Sequence, residues 1–227
     1  MDGLQPLTPE SYLAVVSRTL WENLPQMIGG GLLFSLAAAP AFIAFSLGWL
    51  GPTMLLAVAM VAPAWCALVA FSGIILAGKV VALREWFGYF RHHGRAATLL
   101  GMAPAFPGLV LLRLLPLLQT DHPAPSVWAA VGMTIFVMAL ALALLLYAFP
   151  LLAEQDKLSR NLWVQAWLLA VQSPLNTVGL LAMGVLFLFA IAYISLGLLL
   201  LLPSIYALFI AANYQLVVAA HHSAGKV

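Results

Sequence analysis

The sequence predicts an all-α membrane protein: a polytopic bundle of about six transmembrane helices with interfacial amphipathic helices and both termini cytoplasmic. Three observations predict it. The chain is 64% hydrophobic and only 7% charged over 227 residues, against roughly 45–50% and 25% in a soluble domain. Its uncharged stretches run to about twenty residues, the length that crosses a bilayer core about 30 Å thick. Its basic residues, finally, gather on one side of those stretches. A water-soluble fold of this size has too little interior to hide so much apolar surface. The formal net charge is +2, and the nine Lys and Arg are scattered between apolar segments. They form no run of the kind that binds nucleic acid, so they read as topology markers. The single Cys66 excludes an intrachain disulfide. Asp2, Glu10, Arg18 and Glu22 interrupt the first 26 residues, so no cleavable signal peptide is expected and the N-terminus is retained.

The elements follow in order within a single transmembrane domain, 1–227. Thr8-Pro9-Glu10 reads as a helix start. Leu13, Val16, Leu20 and Leu24 then share a face apart from Ser17, Arg18 and Glu22, which predicts an interfacial helix over 9–24. The first span is 27–47, closed by the turn Gly48-Trp49-Leu50-Gly51-Pro52. The second, 53–81, is interrupted by Pro63 and ends at Lys79. Leu83, Trp86, Phe87 and Phe90 beside Arg84, Arg91 and Arg95 predict that this same helix bends onto the inner surface. The third span, 98–118, carries Pro104, Pro107 and Pro116 and reads as broken. After a loop at 119–126 comes the fourth span, 127–152, then a second interfacial helix, 156–172. The fifth and sixth spans, 176–202 and 204–220, are expected to form a hairpin at Pro203, because one helix of about 44 residues would overshoot the bilayer.

With the N-terminus inside, eight of the nine basic residues lie on the cytoplasmic side and only Arg113 on the other. Trp21, Trp86, Trp163 and Trp167 mark the inner interface, Trp49 and Trp128 the outer one, and Trp65 alone sits deep in a span. Ser17-Arg18-Thr19-Leu20-Trp21 and Ser159-Arg160-Asn161-Leu162-Trp163 share four of five residues. They suggest either a duplicated interfacial helix and hairpin or the same interfacial demand met twice.

The motifs of zinc peptidases and P-loop NTPases are missing, so no catalytic, cofactor or metal residue is assigned. His92-His93 and His221-His222 are adjacent pairs that diverge on a helix and lack an acid nearby in sequence. Interfacial polar roles are expected for them. Arg113, with Pro104 and Pro107, is the candidate intramembrane polar site, against the plainer reading that Arg113 snorkels to the outer surface. Asn23, Gln26, Gln172, Asn176, Asn213 and Gln215 lie near inner span ends and are expected to bond between helices or line a vestibule. Gly29, Gly30 and Gly31, with Ala37 and Ala41, offer a small-residue contact surface within the chain or to a second subunit, so a homo-oligomer is possible.

Asn23-Leu24 before the first span, Pro63 followed by Ala67-Leu68, and Arg84-Glu85-Trp86-Phe87-Gly88-Tyr89-Phe90-Arg91 together resemble the YesL-like family of bacterial membrane proteins. The resemblance implies an inner-membrane protein often associated with carbohydrate-uptake systems, and it transfers no catalytic residue. The leading expectation is a non-enzymatic partner of a solute importer. It would dock other transporter subunits, or lipid, through Arg84, Trp86, Phe87, Tyr89, Phe90 and Arg91. A second expectation is a substrate-binding subunit similar to those of energy-coupling-factor vitamin importers. A lipid-modifying enzyme comes last, since acidic groups are few and dispersed.

Overall fold

Proline and glycine set where the helices begin and end. Pro25 and Pro174 occupy first-turn positions, where the missing N–H costs nothing. Gly48 and Gly78 close helices with positive φ, at 75° and 71°. The computed structural model describes residues 12–79, 81–120 and 124–224, and every regular element among them is helical. In chain order these are α1 (Tyr12–Glu22), α2 (Leu24–Ser46), α3 (Leu50–Leu56), a π-helical turn (Ala57–Val61), α4 (Ala62–Leu76), α5 (Leu83–Leu118) and α6 (Pro125–Gln155). Then follow α7 (Arg160–Gln172), α8 (Pro174–Tyr193), a 3₁₀ turn (Leu196–Leu200) and α9 (Leu202–Ala224). Leu24–Ser46, Leu50–Leu76, Leu83–Leu118, Pro125–Gln155, Pro174–Tyr193 and Leu202–Ala219 are long and apolar enough to cross a membrane. The protein is a multi-pass membrane helix bundle. The expected helix start at Thr8-Pro9-Glu10 and the loop residues Asp121, His122 and Pro123 lie outside the described residues.

Three boundaries differ from the sequence reading. The second span ends at Leu76, and its break at Pro63 takes the form of the π turn. There the ring would strike the carbonyl four residues back, and the Ala62 N–H reaches instead to the Ala57 oxygen, widening the helix by one residue. Leu83 to Arg95 does not continue that span: it forms the first turns of α5, a single helix of 36 residues. Pro104, Pro107 and Pro116 sit inside α5 without ending it, so the third span is not broken. The last hairpin turns at Ile194–Leu201, and Pro203 falls in the first turn of α9. The echo between Ser17 and Ser159 also lacks a common register. Ser17 lies in the middle of α1, while Ser159 is the N-cap of α7 and accepts the Leu162 N–H at 3.2 Å.

Helix α4 is the centre of the bundle, packed by α2, α5, α6 and α9. Nearly every residue from Ala62 to Leu76 is buried. In lipid, close packing and interhelical hydrogen bonds hold helices together, since hydrocarbon is as apolar as leucine. Small residues supply the closeness. Gly101 of α5 lies so near α4 that a Cβ added there would sit 2.5 Å from the Ala62 Cβ. An aromatic run ties four helices: Phe34 meets Trp65 edge-on at 5.6 Å, Trp65 lies 5.7 Å from Tyr206, and the Tyr206 hydroxyl donates to the Leu180 carbonyl at 3.0 Å.

The outer surface is apolar over a defined band. On α5 the exposed residues between Arg95 and Arg113 include Leu99, Met102, Phe106 and Leu109. Arg113 lies eighteen positions beyond Arg95 on α5, about 27 Å at 1.5 Å per residue, which matches the bilayer core. The two segments expected at the interface are two-faced helices, Tyr12–Glu22 and Arg160–Gln172. Val16 of α1 and Leu162, Ala166 and Leu169 of α7 face the protein, while Trp21 and Trp167 point outward.

Candidate functional site

The described charged side chains other than Arg113 gather at one end of the bundle, built from the first turns of α5, the α6–α7 corner and α1. The start of α5 has two faces. Trp86, His93, Ala97 and Leu100 recur at helical spacing and are buried. Arg84, Phe87, Gly88, Arg91 and Arg95 recur at steps of three and four and are exposed. Among the described residues none of these three arginines has a carboxylate within ion-pair distance, and the one Arg–carboxylate pair there is Arg18–Glu22 at 2.6 Å.

The candidate contact residues therefore separate. Arg84, Phe87 and Arg91 are exposed. Trp86 is 2% exposed and belongs to the core, where it stacks on Phe90 at 5.4 Å and meets Phe87 edge-on at 5.3 Å. Tyr89 and Phe90 are half-buried. Beside the basic face lies an open groove of about 540 Å³, walled by Ala59 and Pro63 on one side and by Phe90, Arg91, Arg95 and Leu99 on the other.

Sequence reading missed one constellation. The histidines at 92 and 93 do not diverge; their rings lie 4.8 Å apart, edge to face. The acid absent from their neighbourhood in sequence arrives from the other end of α6. Asp156 takes the left-handed conformation (φ 59°) that closes that helix. Its Oδ1 lies 3.4 Å from His92 Nε2 and 3.5 Å from His93 Nε2. His92 and Asp156 are exposed and His93 is buried. Both nitrogens of His93 lack a hydrogen-bond partner, and Tyr89 stacks on its ring at 6.1 Å. Burial and the neighbouring His92 hold His93 below the ordinary imidazole pKa, with Asp156 pulling weakly the other way, so the neutral ring is favoured. The one signal for this cluster was the histidine pair itself.

A polar chain lies inside the same end of the bundle. Asn213 Nδ2 donates to the Tyr147 hydroxyl at 3.3 Å, Tyr147 and Thr177 share a bond of 3.0 Å, and Thr177 donates to the Ser173 carbonyl at 2.9 Å. With each hydroxyl giving one proton onward, the chain joins α9, α6 and α8. The expected interhelical role thus holds for Asn213. Asn23 instead caps its own turn, donating to Thr19 at 3.0 Å.

The candidate intramembrane residues are not gathered. Pro107 is buried, Pro104 half-buried, and Arg113 exposed at the far edge of the apolar band. Ala41 is buried and Ala37 packs against the core, so that small-residue pair serves contacts within the chain. The chain matches no protein-family model, no curated protein and no solved structure.

Proposed function

We propose that this protein is a non-enzymatic subunit of a bacterial inner-membrane solute-uptake system, docking its partner through the exposed basic face of α5. The observation that carries the reading is the exposed face that Arg84, Phe87 and Arg91 share at the start of α5, whose arginines have no carboxylate within ion-pair distance among the described residues. Arg95 lies next to the band and suits lipid headgroups. The start of α5 lies against α2, with the Leu83 side chain packed on Gly29. Phe87 is 51% exposed between Arg84 and Arg91, the mixture of aromatic and guanidinium groups that protein interfaces favour. The resemblance to YesL-like proteins supports an uptake system as the setting.

The test is purification of the intact protein from native membranes in mild detergent. A stoichiometric membrane partner is expected with the unaltered chain and is expected to be lost with Arg84→Glu plus Arg91→Glu, while the double variant stays folded. A protein that is always solitary, or a complex indifferent to that charge reversal, sinks the proposal.

A further inference from the structure

We propose that His92, His93 and Asp156 form a binding site for a divalent first-row transition ion of the zinc class, clamping the start of α5 to the α6–α7 corner. The three ligand atoms lie within 4.8 Å of one another. Two of the separations, 3.4 and 3.5 Å from Asp156 Oδ1 to the two Nε2 atoms, are too long for good hydrogen bonds. They suit a shared ion: tetrahedral ligands about 2.05 Å from a metal stand about 3.3 Å apart. Rotation of the exposed His92 ring closes the remaining separation.

The buried histidine points the same way independently. His93 is 2% exposed and neither of its nitrogens has a partner, in a class of group that is almost always satisfied. An ion bound at Nε2 gives that nitrogen its partner and gives the carboxylate, poised between two imidazoles without bonding either, a shared one. Two imidazoles and one carboxylate are borderline donors that favour zinc, cobalt or nickel over magnesium or calcium. The exposure of His92 and Asp156 leaves a fourth position open to water. The Tyr89 ring lies parallel to that of His93, 6.1 Å away.

The experiment uses the full chain in detergent with any affinity tag removed, stripped with a chelator and titrated with Zn²⁺ against a chromophoric competitor. Co²⁺ replaces Zn²⁺ in a parallel titration read by visible d–d absorption. One ion per chain is expected, with affinity falling at least tenfold in His92→Ala and in Asp156→Asn and the Co²⁺ spectrum altered in both. These two sites are exposed, so the variants keep their fold; His93→Gln tests the buried ligand, and a melting curve without metal shows whether it remains folded. The double variant His221→Ala, His222→Ala is expected to bind as the unaltered chain does. Absence of stoichiometric binding, binding unchanged in both His92→Ala and Asp156→Asn, or loss of binding in the His221/His222 variant each overturns the assignment.

Discussion

Three consecutive glycines of α2 receive different neighbours, so one substitution made three times separates packing from composition. A methyl at Gly29 would meet only the tip of the Leu83 side chain, 2.8 Å from Cδ2, which can rotate away. At Gly30 it would stand 3.0 Å from Leu68 Cδ1, itself fully buried and less free to yield. At Gly31 it would fall on the Leu200 carbonyl, with the carbon 2.7 Å away and Ser204 Oγ at 3.1 Å. Carbon atoms rest about 3.5–4.0 Å apart, and the carbonyl oxygen lies nearer still, so the 3₁₀ turn would have to retreat by more than about 1 Å. That shift strains the bond from Ser35 Oγ to the Leu199 carbonyl and the turn's own Leu201-to-Leu198 bond, at 2.9 and 3.1 Å. Each lost bond costs about 1 kcal/mol, and overpacking adds about 1–3 kcal/mol. Gly31→Ala is therefore expected to destabilise by about 3 kcal/mol or more. Gly30→Ala should cost about 1 kcal/mol. Gly29→Ala should lie within about 0.5 kcal/mol of the parent, because alanine's helical preference offsets the Leu83 adjustment. Unfolding in mild detergent, followed by tryptophan fluorescence, gives the order. A Gly31→Ala variant as stable as Gly29→Ala would refute the packing of the 3₁₀ turn on α2.

Two further substitutions probe the basic end. Tyr147→Phe removes the acceptor of Asn213 and the donor to Thr177, and leaves a buried amide unpaired; a loss of about 1–3 kcal/mol is expected in the same unfolding assay. Adding Asn213→Leu should recover part of it, and a double variant no better than the sum of the singles would argue against the chain of bonds. Trp86→Ala should cost about 3–5 kcal/mol of stability as a core truncation, whereas Phe87→Ala should leave the melting curve nearly unchanged and weaken partner co-purification. The reverse pattern would mean that the two aromatic residues had been assigned to the wrong faces.

Why the spans were legible and the basic end was not follows from what periodicity carries. Charge in hydrocarbon is costly, so the uncharged stretches of α2, α6 and α8 announce themselves from sequence, and the turn at Gly48 does so through a residue suited to positive φ. A stripe such as Leu83, Trp86, Phe87 and Phe90 gives a helix but not its partner. Two adjacent faces of that helix are aromatic, and only the packing of neighbouring helices decides that Trp86 goes in and Phe87 stays out. Proline misleads for a related reason. Pro104 and Pro107 would break a helix in water, but a packed membrane bundle tolerates such residues and α5 runs on through both. Asp156 lies beyond any local pattern, since 63 positions separate it from His93 and only the antiparallel packing of α5 and α6 brings their ends together. The feature with most chemical consequence here is thus made by topology: a left-handed residue closing one helix presents its carboxylate to a histidine pair that, read along the chain, had nothing to bind.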